Sequence, residues 1–441
     1  MPRQIRLTLN LQATGRHDAA WKTLEPTSDW LSGIDYYSGI AQLAERGRFD
    51  ALFIADRIGS LEGESVRRPW RGADPTVLLA ALARETSHIG LAATSPAIHG
   101  SPFALARSIA TLDHVSKGRA AWNIITSQEE TTRRVLGVDE VLDQEARYRK
   151  AGEFIEIVDA LWASLPYDAV VADGEADRYV DVTRTRPVDI EGEFYSSAGI
   201  LPLPGGFTEN RPVIFHAGTS TQSKALAARW ADALFTSQLT ADSSRQFSQE
   251  VKQLAADRGR HPDSLLVLPG LLTVIGSTEA EALARKAELD ELLAVEPLLA
   301  VLSQYLDYDV TALPLDGELP YSELSAPAST SFVTARRGQL VANARAKRLS
   351  IRQLLFNNIT GGQRVIIGTP EQIADDIVDW VDTGASDGFT INIDHQPTGF
   401  EQFIDGVVGE LQQRGRFRTE YEHDTLRGTL GLAEFRAFQP A

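Results

Sequence analysis

No cysteine occurs in this chain of 441 residues, and its one methionine is Met1, so the interior holds no sulfur. That absence excludes disulfide scaffolds, zinc fingers, thiolate metal sites, iron–sulfur clusters and cysteine nucleophiles. Positive charge is also in deficit: 43 Lys and Arg stand against 60 Asp and Glu, a formal net charge of −17. An acidic surface repels a phosphate backbone, so no nucleic-acid partner is expected. No run approaches the roughly 18 uninterrupted apolar residues of a membrane span, and no apolar segment with a cleavage site follows the start. The reading is therefore a cytoplasmic protein with no membrane partner. At 43% hydrophobic and 23% charged, the composition is that of a globular protein with a large core.

Short apolar runs bounded by turn residues alternate with helical periodicities, the pattern of βα units around a parallel sheet. Eight runs read as strands: Ile5–Leu11, Asp50–Ala55, Ile89–Thr94, Ala120–Thr126, Pro212–Ala217, Ala231–Thr236, Leu265–Ile275 and Gly388–Ile393. Between them helical patterns begin at Tyr36, Pro75, Pro102, Glu145, Gln222, Ser243, Thr278 and Pro370, and another runs from Phe400 to Arg414. Proline opens several, where a missing N–H costs nothing. Two stretches break the alternation, Pro166–Arg211 and Glu296–Arg364. Both exceed ordinary connections and read as rim insertions that close over a site. The expectation is an α/β fold, a (β/α)8 TIM barrel with two long insertions, forming a single domain over residues 1–441.

In such barrels the chemistry sits at the C-terminal ends of the strands. Those ends carry Thr14 and His17, Asp56 and Arg57, Thr94 and His99, Asn123 and Ser127-Gln128, His216, and Asp394-His395. Four of the eight histidines thus fall near one mouth, but no His/Asp spacing matches a metal cage, and no metal is expected. The sharpest local signal is the fifth unit. An apolar strand ends at Ala217-Gly218-Thr219-Ser220 and feeds directly into a helix. Gly218 permits a close turn, and Thr219 and Ser220 bring hydroxyls to a helix N-terminus, a ready anion site or an ordinary N-cap. Asp56 reads as a general base, an acceptor for a heterocycle N–H, or a loop cap. Asn123 cannot titrate but offers a donor and an acceptor. Tyr148, early in a long helix, reaches a phosphate or packs.

Several ordered blocks resemble one family. They are Glu45-Arg-Gly-Arg-Phe-Asp-Ala-Leu-Phe-Ile-Ala-Asp56, the run from Ala106 to Ser127 that includes Asp113, Arg119 and Asn123, Arg147-Tyr148 with Glu153-Phe154, and Ala217-Gly218-Thr-Ser220. Gly384–Phe389 and Leu411–Tyr421 complete the pattern. The sequence resembles the nitrilotriacetate monooxygenase and dibenzothiophene sulfone monooxygenase group of the bacterial luciferase-like flavin monooxygenases along nearly its whole length. The resemblance implies a two-component enzyme. A separate flavin reductase supplies FMNH2, and the barrel uses it with O2 to oxygenate a small organic substrate through a flavin peroxide. It places Asp56 at the polar edge of the flavin and Ser127 and Gln128 along it. It assigns Tyr148, Gly218, Thr219 and Ser220 to the phosphate, and Asn123 and Thr94 to the oxygen-binding side as catalytic residues. Gln128 stands where an alkane-oxidising relative has a histidine; its role is absent here or moved to His99, His216 or His395.

Two rivals stay open: a deazaflavin-dependent oxidoreductase of the same superfamily, and a non-catalytic flavin-binding barrel. A homo-oligomer, dimer or tetramer, is expected. For the substrate, Arg57, Arg67 and Arg68 could grip an anion, and Phe103, Phe207, Phe215, Phe235 and Trp70 could line an apolar pocket. The missing sulfur adds a hint. Methionine and cysteine are readily oxidised by leaked peroxide, and an enzyme made under sulfur starvation does well to contain little. Both point to an organosulfur substrate and C–S bond cleavage, with an aminopolycarboxylate, alkane or heterocycle as the alternative.

Overall fold

The computed structural model describes residues 3–56, 69, 72–126, 130–208, 211–325, 331–358 and 363–433. Eight parallel strands close on themselves: β1 (Arg6–Asn10), β2 (Ala51–Ile54), β3 (Gly90–Pro96), β4 (Ala120–Ile125), β5 (Val213–Ala217), β6 (Ala233–Thr236), β7 (Leu266–Ile275) and β8 (Gly388–Ile393). Each pairs with its neighbours in sequence, and β8 returns to β1 with Leu7 opposite Phe389. All eight overlap the apolar runs read from the sequence, because strands buried on both sides must be continuously apolar. Helices between them start on local chemistry. Asp74, Ser101, Asp143, Ser220, Thr240, Thr278 and Thr369 each accept a backbone N–H from the first turn.

Alternation along the strands divides the core. Outward residues such as Leu7, Leu9, Leu52, Leu91, Trp122 and Ile214 pack under the helices. Inward residues such as Ala51, Phe53, Ala92, Ala121, Phe215 and Leu268 fill the barrel. The lower end is stoppered by Leu426, Leu430 and Leu432 of the C-terminal segment. Arg418 pairs with Asp50 at 2.6 Å, Arg427 with Asp232 at 3.1 Å, and Arg6 Nε donates to the Leu430 carbonyl at 2.8 Å, all holding that stopper in place.

The two insertions differ from each other. Residues 166–211 form two hairpins, Val170–Asp173 with Arg178–Val180 and Val188–Glu191 with Ser196–Gly199. They connect the end of the helix Gln144–Ser164 to the start of β5, both at the N-terminal end of the barrel. Leu201 N–H donates to Ser164 Oγ at 2.9 Å and Phe207 N–H to Asp113 Oδ2 at 2.7 Å, fixing the stretch to that end. Between these anchors the second hairpin runs back along the helix Gln144–Ser164 toward its start, where Arg149 meets Glu193 at 3.2 Å and the Phe194 N–H donates to Glu153 at 3.0 Å. The second insertion leaves from the top of β7. It carries the helices Val295–Leu306, Ser331–Lys347 and Ile351–Asn358 around an apolar cluster of its own. It returns through an edge strand, Arg364–Gly368, paired with the upper half of β7, so it stands on the catalytic side.

Candidate active site

At the end of β5 the backbone turns through Gly218 at φ +149°, and a Cβ there would lie 2.3 Å from Ser223 Oγ. No other residue type fits that approach. Ser220 then caps the helix Thr221–Trp230, its Oγ accepting the Ser223 N–H at 3.2 Å. The next N–H groups, of Thr221 and Gln222, have no acceptor within the helix. Tyr148, on the helix Gln144–Ser164, brings its hydroxyl 3.4 Å from Ser220 Oγ across 72 residues of sequence. Gln144 Nε2 donates to Gln222 Oε1 at 3.2 Å and ties the two helix starts together. Thr219 is exposed beside them. The result is a cluster of hydroxyls and open N–H groups at a positive helix end, suited to a phosphate.

Two residues missed in the sequence complete this corner. The Arg147 guanidinium lies over the Tyr148 ring at 5.6 Å, and its buried Nε has no partner among the described residues. A cation therefore flanks the phenol. Ser223 is the other. His216, fully buried, meets the Ile124 carbonyl through Nδ1 at 2.9 Å and Ser223 Oγ through Nε2 at 2.8 Å. A carbonyl only accepts, so Nδ1 carries the proton and Nε2 accepts from the serine. Burial drives the imidazole down to about 4, offset in part by the Ile124 hydrogen bond, so it stays neutral near pH 7. His216 is thus no acid–base group; it holds Ser223, and through it the helix start. The spacing His216-x6-Ser223 was the only signal for this in the sequence.

On the strands next to β5, Thr94 and Asn123 sit opposite each other on β3 and β4, on the inward face shared with Ala92 and Ala121. Both are buried. Asn123 Nδ2 donates to Thr94 Oγ1 at 2.8 Å, which leaves the threonine proton free to point elsewhere. Asn123 Oδ1 is buried with no hydrogen-bond partner among the described residues. Leaving such an atom unpaired costs about 1–3 kcal/mol, a cost that a ligand donor removes. Below them lies an apolar floor where Phe53 packs against Phe215 and Phe235 with ring centroids 6.1 and 6.0 Å apart.

Other sequence candidates separate. Asp56 is half-buried at the mouth end of β2. Ser127, Gln128, Arg57, Arg67, Arg68 and Trp70 lie outside the described residues. Phe207 packs on His114 at the far end of the barrel, which corrects its place in a mouth pocket, and Phe103, at the start of the helix Pro102–Ser116, is partly exposed. His17 is committed: Nδ1 accepts the Ala19 N–H at 3.2 Å, so Nε2 donates to Asp290 at 3.0 Å. Asp394 is clamped by Arg285 at 2.7 Å and 3.0 Å. Burial lifts its carboxyl to about 6 while Arg285 pulls it down. His395 is pushed down by burial and by Arg285. Several carboxylates in the matching blocks turn out to be backbone caps. Glu45 accepts the N–H groups of Ser87 and Ile89 at 2.8 and 3.0 Å, Asp113 those of Ala120 and Phe207, and Glu153 that of Phe194 at 3.0 Å.

A barrel with a hydroxyl-lined helix start after β5 and a buried amide on the neighbouring strand matches one family model, "Luciferase-like monooxygenase", over residues 9–387. The chain belongs to the luciferase-like monooxygenase family. It is a flavin-dependent monooxygenase that uses FMN and O2. It is 40% identical over 433 residues to N-acetyl-S-(2-succino)cysteine monooxygenase of Bacillus subtilis (strain 168), covering 98% of this chain and 97% of that one. It is 37% identical over 445 residues to nitrilotriacetate monooxygenase component A of Aminobacter aminovorans, covering 98% and 97%. Among solved structures it superposes on EDTA monooxygenase from Chelativorans sp. BNC1 with a TM-score of 0.80 at 32% identity, covering 98% and 99%. The residues fit the cofactor of this monooxygenase. Gly218 admits no side chain where the turn approaches Ser223, the Tyr148–Ser220 corner supplies donors for a phosphate, and the Asn123 oxygen awaits one.

Proposed function

We propose that this monooxygenase is the oxygenase component of a two-component system, receiving reduced FMN from a separate flavin reductase in the cytoplasm. The relative named component A supports that arrangement. The observation that carries the site assignment is the meeting of Tyr148 and Ser220 at the start of the helix Thr221–Trp230, 3.4 Å apart. In this reading the Tyr148, Thr219 and Ser220 hydroxyls and the N–H groups after Gly218 hold the phosphate, with Asp56, Ser127 and Gln128 along the ring system. Bound reduced FMN supplies the two electrons that activate O2. Asn123 and Thr94 line the oxygen side, where the threonine hydroxyl donates and the amide oxygen accepts. The second insertion shields this mouth from water, which matters because uncoupled reaction ends as hydrogen peroxide.

The substrate we propose is a thioether bearing several carboxylates. The missing interior sulfur points to sulfur chemistry, and the names of the three relatives share the carboxylates. Adding one oxygen atom to the carbon next to sulfur, with the other leaving as water, creates a hemithioacetal that breaks its C–S bond. The second reading, an aminopolycarboxylate, keeps the carboxylates and exchanges sulfur for nitrogen. We read the whole chain as one domain forming a homo-oligomer, which light scattering on the purified protein checks.

The test combines anaerobic titration with reduced FMN and turnover with a flavin reductase, O2 and N-acetyl-S-(2-succino)cysteine, followed by mass spectrometry. Saturable binding and a cleaved thioether are expected. Failure to bind reduced FMN sinks the assignment. Tyr148→Phe and Ser220→Ala are each expected to weaken reduced-FMN binding about tenfold, as loss of a hydrogen bond to a charged group does. Unchanged affinity in both variants moves the phosphate elsewhere.

A further inference from the structure

Five arginines are buried among the described residues: Arg119, Arg211, Arg337, Arg416 and Arg427. Four of them are engaged. Arg119 donates to the carbonyls of Ser116, Ile89, Ala83 and Thr86. Arg211 and Arg427 share Asp232, and Arg416 clasps Asp382 at 2.6 Å. Arg337 is 6% exposed, its Nε is buried without a partner, and no carboxylate among the described residues pairs with it. Burying a lone ion costs several kcal/mol, so a fold keeps one where something else supplies the counter-charge.

Its surroundings sharpen the point. From Leu324 to Pro370 the chain contains no aspartate or glutamate but seven lysines and arginines, in a protein of net charge −17. The segment is the later part of the insertion that rises from the catalytic end of the barrel. Arg337 lies on the helix Ser331–Lys347, one turn before Leu340 and Val341 and on the same face as them and Ala344. The insertion reaches the barrel wall at Gln363, whose side chain would meet a Cβ on Gly270 of β7 at 2.9 Å. Leu268, on the same face as Gly270, faces the barrel interior. Phe356 of the following helix lies 6.0 Å under the Lys286 ammonium, which itself pairs with Asp290 beside His17. The basic segment therefore borders the mouth on the β7–β1 side.

We propose that Arg337 is a specificity-determining residue that receives a carboxylate of the substrate, in bidentate fashion, at the insertion's edge of the mouth. This rests on the polycarboxylate reading above. A planar guanidinium fits a carboxylate fork better than an ammonium does. The basic, acid-free segment draws the anion in against the repulsion of the rest of the surface.

The experiment measures binding of tricarballylate, a tricarboxylate with no sulfur or nitrogen to oxidise, by calorimetry on the full chain. Wild type is expected to bind it, and Arg337→Met to bind at least about 30-fold more weakly, as when one member of a buried ion pair is lost. Arg337→Lys should recover part of the affinity, and the trimethyl ester should bind to none of the three. Reduced-FMN affinity should be unchanged in Arg337→Met, and its Tm should rise, because an uncompensated buried charge has been removed. Equal binding by wild type and Arg337→Met, or no binding by wild type, overturns the proposal. So does a parallel loss of reduced-FMN affinity, which marks a folding defect. If tricarballylate binding depends on Arg337 while neither N-acetyl-S-(2-succino)cysteine nor nitrilotriacetate is oxygenated, the anion site stands and the proposed function fails.

Discussion

Asn123→Ala is expected to bind reduced FMN with near wild-type affinity and to lose product formation by about 10²–10³-fold, the usual cost of deleting one preorganised polar group. The electrons are then released as hydrogen peroxide. The argument lies in the position of the amide. It is buried on the inward face of β4, one of its ends is spent on Thr94 at 2.8 Å, and the other meets nothing among the described residues. A side chain needed only for packing would not leave an acceptor unpaired where Ala92 and Ala121 form an apolar interior. Alanine deletes both ends, so the Thr94 hydroxyl loses its fixed donor and becomes free to rotate. Thr94→Val should show a smaller loss of the same kind, and Thr94→Ser should restore most of the activity. The measurement is the ratio of product to hydrogen peroxide per reduced FMN consumed. A full-rate Asn123→Ala enzyme would place the oxygen side of the site elsewhere.

Asp232→Ala should cost about 3–5 kcal/mol of stability, the penalty for stripping the partner from buried charges. Asp232 is fully buried at the foot of β6, where Arg211 reaches it at 3.0 Å, Arg427 at 3.1 Å and the Ile214 N–H at 2.8 Å. Burial works to raise its carboxyl, but the two guanidinium groups and that N–H prevail and hold it below the ordinary range. It thus stays ionised through any working pH. Without it, Arg211 keeps only Asp159 at 3.4 Å as an ion-pair partner among the described residues, and Arg427 no longer anchors the segment that stoppers the barrel with Leu426 and Leu430. A thermal melt should show a clearly lower Tm and tighter coupling of the midpoint to ionic strength. Reduced-FMN affinity at low temperature should persist, since the phosphate corner lies at the other end of the barrel. An unchanged Tm would mean that the ion cluster contributes nothing net, as replaced buried pairs sometimes do.

Much of the catalytic end was readable in advance. Gly218 through Ser220 read as a close turn into a helix start, an anion site or an ordinary N-cap, because turn and cap chemistry is local, confined to a few adjacent residues. Thr94 and Asn123 could be placed at strand ends by the same kind of reasoning, but not their hydrogen bond, which depends on the register between β3 and β4. Tyr148 was ambiguous between packing and binding until the fold set it against Ser220. His216 looked like a catalytic candidate because it follows an apolar strand; its burial and its two committed nitrogens are invisible to any local pattern. The acid-free run that holds Arg337 was visible as composition, yet composition carries no hint of which arginine is buried alone.

By itself the sequence determined the eight apolar runs, the polar residues that cap the helices, the close turn at Gly218 and the exclusion of sulfur chemistry from the protein's own side chains. These follow from φ/ψ sterics, side-chain chemistry and periodicity, which act over one to a few turns. Only the tertiary structure decided which carboxylates are spent on backbone N–H groups, as in Glu45, Asp113 and Glu153. It alone joined Tyr148 to Ser220 and left Asn123 Oδ1 and Arg337 Nε without a partner among the described residues. Hydrogen bonding and charge pairing are settled between residues far apart in the chain, and burial converts each missing partner into a free-energy cost. That cost is what marks these two residues as places for a ligand.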